Sequence, residues 1–210
     1  MNKKLLDKLE RALLKYERVI EQTDEHYDEL DCEGRYGGYH SLPPYNYKHT
    51  IPFLISLLKK EGVNCEQFQE EYERITKKLE ELEKRRGRDL REKLYSGLKE
   101  DVIFYPVMIG SFAEVEPHEL EIPNDLTTRG SIEIYLMELE RDYDLTEIKE
   151  EVAYLDEELK CKYMDNIEEI LETYFDADDP YSPESFWWDH PSKLLEEKWA
   201  MKAKNENSGK

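Results

Sequence analysis

Assembled catalytic signatures are what this sequence has least of. It contains no Gly-x-Ser-x-Gly nucleophile turn, no Walker phosphate loop and no Gly-x-Gly-x-x-Gly. Cysteine is scarce and odd in number: Cys32, Cys65 and Cys161 stand far apart, with no Cys-x-x-Cys. That argues against a disulfide framework or a zinc knuckle and for a reducing compartment, the cytoplasm. No run approaches the roughly 18 apolar residues of a membrane span. The N-terminus is charged and amphipathic, unlike a signal peptide with its apolar middle. Positive charge is also short, with 30 Lys and Arg against 50 Asp and Glu and a net charge of −20. Direct nucleic-acid binding by phosphate neutralisation is not expected, nor is an anionic membrane surface. A basic protein partner fits the sign.

Several fragments of known motifs are present and incomplete. His118-Glu119-Leu120-Glu121-Ile122 begins like a zinc-protease helix but lacks the second His. His26, Cys32, His40 and His49 share one region, with spacings that match no common metal site. Asp176-x-Asp178-Asp179 lacks the Gly and the Glu that complete a calcium loop. Glu158-x-Lys160 has a metal-nuclease spacing but lies in a helical pattern, where close Glu and Lys are ordinary surface pairs. Leu42-Pro43-Pro44-Tyr45 resembles a short proline-rich ligand, and a packed loop is the simpler reading. No catalytic, cofactor-binding or metal residue is therefore assigned.

What the chain does have is helical periodicity. Residues 64–98 carry apolar side chains at Phe68, Tyr72, Ile75, Leu79 and Leu82, a narrow seam that needs a partner helix. Residues 2–30 carry a matching seam through Leu6, Leu9, Leu13, Tyr16, Ile20, Thr23, Tyr27 and Leu30. Between them lies a Gly, Tyr and Pro loop over 31–49, then a short apolar helix over 51–61 capped by Thr50. The long seam breaks over 84–93, where six Lys and Arg meet Asp89 and Glu92. It resumes at Leu90, Leu94 and Leu98 one position out of step. Gly87 sits in this stutter, and a kink or two helices are expected there. This basic segment is expected to face the acidic stretch 144–179.

Residues 101–130 change period. A continuous apolar run split by Pro106, then alternation at Leu120 and Ile122, predicts a small extended or β insert. Helix returns after Gly130. Asp144 is placed to cap a further helix whose inward side is Ile148, Val152, Leu155, Leu159, Tyr163, Ile167, Ile170 and Tyr174. Fourteen acids and three lysines fall between Asp144 and Asp179. The tail carries Phe186, Trp187 and Trp188, then one or two amphipathic turns around Leu194, Leu195 and Trp199, and ends in polar residues expected to be disordered.

The expected fold is mainly α, with long antiparallel helices forming a bundle or coiled-coil-like core. Residues 1–176 form one helical domain and 177–210 an aromatic tail. The expected function is non-catalytic: a cytoplasmic adaptor or regulator, possible as a homodimer, that binds a protein partner. Its contact residues would be Phe186, Trp187 and Trp188, with Asp156, Glu157, Asp165, Glu168, Glu169 and Glu172 of the acidic helix. Two alternatives follow from the same residues. One is an acidic inhibitor of a nucleic-acid enzyme, of the immunity, antitoxin or DNA-mimic kind. The other is a metal-dependent enzyme using carboxylates with His26, His40 or His49.

Overall fold

A computed structural model describes residues 2–29, 35–36, 39–40, 43–114, 127–168, 186–187 and 191–208. The protein is mainly helical. Its helices are α1 (Asn2–Glu25), α2 (Pro43–Lys60), α3 (Glu66–Glu114), α4 (Thr127–Leu139), α5 (Thr146–Asp165) and α6 (Pro191–Ser208). A 3-10 turn, Tyr27–Glu29, follows α1, and β1 (Arg35–Tyr36) pairs antiparallel with β2 (Tyr39–His40). The chain divides into two compact units. One comprises Met1–Glu100 with Ile134–Asp144, the other Asp101–Glu133 with Leu145–Lys210.

The first unit buries Leu9, Leu13, Tyr16 and Ile20 of α1, Ile51, Leu54 and Leu58 of α2, and Ile75, Leu79, Leu82, Leu90, Leu94 and Leu98 of α3. On α1 and α3 these are the seam positions, and the burial of all three sets is the main stabilising term. Contacts fix the helix directions. Tyr16 meets Thr76, Glu21 meets Lys78, and Asp24 meets Arg85, so the two seams advance together and α1 and α3 run parallel. Antiparallel pairing fails for these two because α2 is the return helix between them. Lys59 meets Gln69, the Lys48 carbonyl meets Tyr72, and Tyr45 meets Glu83, which makes α2 antiparallel to α3.

Helix α2 starts eight residues earlier than expected. Pro43 and Pro44 open it rather than blocking it, since a first turn needs no amide donors from them. Thr50 is then a buried internal residue and not a cap. The Asn64 side chain accepts from the Glu66 amide at 3.0 Å, helping α3 to begin.

The extended insert expected over 101–130 is not seen in its described parts. Helix α3 continues through Glu114 and α4 begins at Thr127; residues 115–126 lie outside the described residues. The apolar run concealed a helical period. Val102, Tyr105, Met108 and Ile109 are buried, while Ile103, Phe104 and Val107 are exposed. Pro106 lies on the exposed side, where water can satisfy the carbonyl that loses its helical donor.

Candidate functional site

In the second unit, α5 shows two opposite stripes. Val152, Leu155, Leu159 and Tyr163 are buried along one. Glu147, Glu151, Tyr154, Glu158, Cys161 and Asp165, spaced by four and three residues, are exposed along the other. Glu150 and Glu157 flank this second stripe and are exposed too. Tyr154 stands at its centre, 73% exposed. Lys162 pairs with Glu158 at 2.9 Å, and Lys160 turns away to Glu197 of α6 at 3.1 Å.

The helix is held by a buried ionic anchor. Arg129 of α4 meets Asp156 with Nε at 2.7 Å and one terminal nitrogen at 2.9 Å. It also bonds Glu133 at 3.0 Å, and the Tyr105 hydroxyl donates to Asp156 at 2.6 Å. Burial lowers the Arg129 pKa, but Asp156 and Glu133 outweigh it and the net shift is upward. Burial and the Asp156 charge both push the Tyr105 hydroxyl well above its ordinary value. Asp156 is therefore engaged inward, with its side chain 18% exposed.

Of the other contact residues expected from sequence, Glu157, Asp165 and Glu168 are exposed, and Glu168 bonds Lys198 of α6 at 2.7 Å. Phe186 is buried at 3% exposure. Trp187 is half-buried, edge-on to Tyr163 with ring centroids 6.3 Å apart, and Lys160 lies over its ring. Trp188, Glu169 and Glu172 lie outside the described residues. Helix α6 is longer than the one or two turns expected, and Leu194 is buried in it.

In the first unit, two arginines of the basic segment are paired within the unit. Arg85 meets Asp24 at 2.7 Å and Arg86 meets Asp28 at 3.1 Å, both at the acidic far end of the first seam. Helix α3 kinks at Gly87, whose φ of 48° and ψ of −122° are non-helical. A groove of about 890 Å³ opens there. It is lined by Glu80, Lys84 and Arg88 and walled at one end by Tyr95 and Tyr143, stacked at 4.4 Å. Arg91 joins Glu83 at 3.2 Å, Asp142 at 3.4 Å and the Glu138 carbonyl at 3.0 Å. Glu138 is buried and accepts from Lys48 at 2.8 Å, with His49 Nε2 2.6 Å away. Nothing in the sequence marked Glu138, because a single Glu on an apolar helix gives no spacing signal.

His49 is thus committed to Glu138. Among the described residues no group of three His, Cys, Asp or Glu is placed to hold a metal ion, and the side chains of Cys32 and His40 lie outside them. No described helix is long and apolar enough to cross a membrane. Comparison with protein-family models, with curated proteins and with solved structures gives no significant match.

Proposed function

We propose that the protein is a non-catalytic interaction protein of the cytoplasm whose contact surface is the acidic outer stripe of α5. The observation that carries this reading is the exposed run Glu147, Glu151, Tyr154, Glu158 and Asp165 opposite a fully buried stripe. Such a face fits a basic helical segment that presents Lys or Arg at spacings of three and four, with an apolar residue to meet the Tyr154 ring. The Glu168 region extends the surface toward α6, and Trp187, against Tyr163 on the opposite side of α5, would be a separate contact. The three scattered cysteines support a reducing compartment.

The number of exposed carboxylates on α5 favours a second reading of the same face. The exposed carboxylates Glu147, Glu150, Glu151, Glu157 and Glu158 would serve an inhibitor role, occupying the basic cleft of a nucleic-acid enzyme. A lysine-rich helical peptide titrated against the purified protein tests the main reading. Saturable binding that weakens as salt is raised is expected. No binding at low salt would overturn it. Competition by the protein against duplex DNA for a basic nuclease would select the inhibitor reading.

A further inference from the structure

Gly87 interrupts α3 in a backbone region reserved for glycine, in the middle of residues that otherwise favour helix. Left to local preference, the segment would form a continuous helix at a cost of about 1 kcal/mol for the glycine. Something must hold the bend, and contacts on two sides of α3 do so.

On the side facing α1, Tyr27 is the centre. Its hydroxyl donates to Asp89, beyond the kink, at 2.7 Å. The guanidinium of Arg86, before the kink, lies over its ring at 4.1 Å and bonds the neighbouring Asp28. Arg85 is tied to Asp24 one turn back. The residues on both flanks of Gly87 are thus fastened to one short stretch of chain, and Tyr27 itself is 3% exposed.

On the groove side, Arg91 reaches Glu83. Eight residues on a straight helix rise about 12 Å, well beyond the usual spacing of three or four for such pairs. This 3.2 Å contact spans the kink and ties its two flanks together. Arg91 is braced in turn by Asp142 and by Glu138.

We propose that α3 is a two-position element: bent while Tyr27 and Arg91 are engaged, and continuous when they are released. The groove over Gly87 exists only in the bent position, so any event that frees the Tyr27 latch closes it. The substitution Gly87→Ala isolates the backbone contribution, because a Cβ added there meets nothing within 4 Å.

The test is a distance distribution between spin labels carried on non-canonical residues at positions 70 and 99, both exposed. A continuous helix would place those backbone positions about 43 Å apart. The parent protein should give one shorter distance. The double variant Tyr27→Phe with Arg86→Gln should add a population near the straight-helix distance, and Gly87→Ala should enlarge it. One short distance in every folded variant would overturn the proposal. If the double variant loses its helical circular dichroism, Gly87→Ala alone decides: a longer distance supports the two-position element, and an unchanged short one overturns it.

Discussion

Arg129 and Asp156, twenty-seven residues apart and on different helices, meet through two nitrogen–oxygen contacts at 2.7 and 2.9 Å with the arginine side chain only 6% exposed. A buried guanidinium is tolerable only with its carboxylate in place. The substitution Asp156→Leu should therefore destabilise the protein by about 3–5 kcal/mol, the range for a broken buried pair. Adding Arg129→Met to it should recover part of the loss by removing the buried guanidinium, and only part because Glu133, 19% exposed, loses Arg129 as well. Chemical denaturation of the two variants checks both statements.

Glu138 predicts a pH dependence. Burial alone would raise its carboxyl pKa, but the hydrogen bonds from His49 and Lys48 more than reverse this, leaving it below the usual 4.5. A carboxylate lowered by folding contributes stability above its unfolded pKa and loses it as pH falls through the folded value. Near neutral pH, Glu138→Gln should cost about 3 kcal/mol, the low end for a buried pair because Lys48, His49 and Arg91 keep some contact with water. The gap between parent and variant should narrow only below about pH 4.5. Melting temperatures across an acid series measure it.

Gly97 predicts a steric one. A Cβ there would lie 2.5 Å from the Tyr135 hydroxyl and 2.9 Å from the ring carbon bearing it, and Tyr135 is buried. Overpacking of this kind costs about 1–3 kcal/mol, against a helix-propensity gain of about 1 kcal/mol for alanine. Gly97→Ala should be net destabilising. Tyr135→Phe in the same chain should relieve part of the cost, because it removes the nearer of the two contacts. Thermal unfolding of the single and double variants reads the difference.

The fold was legible where one face is apolar and the other is charged. The seams through Leu9, Leu13, Tyr16 and Ile20, and through Ile75, Leu79 and Leu82, are buried as their spacing implies. The break at Gly87 was legible too, because a shift of register and a glycine coincide there. Residues 102–109 were not, since Ile103, Phe104 and Val107 are apolar and exposed, and an outward hydrophobic residue erases the period. Pro43 and Pro44 misled for a different reason: at a helix start proline is compatible with the structure that it breaks elsewhere. Helix direction was illegible, because a seam shows that a partner exists and not which way it runs. The acidic stripe of α5 was visible as charge, but the inward commitment of Asp156 to Arg129 needed the fold to bring α4 and α5 together.

In the proposed function, one face of α5, and not the overall negative charge, receives the basic partner. The most direct measurement compares two variants that each lose four carboxylates. One carries Glu150→Gln, Glu151→Gln, Glu157→Gln and Glu158→Gln on the stripe. The other carries Glu66→Gln, Glu70→Gln, Glu73→Gln and Glu80→Gln, all exposed on α3. Calorimetric titration with the lysine-rich peptide should show the stripe variant weakened by about tenfold or more, 1.4 kcal/mol. The α3 variant should change by less than about threefold, the share due to general attraction. Equal weakening of both variants would contradict the account.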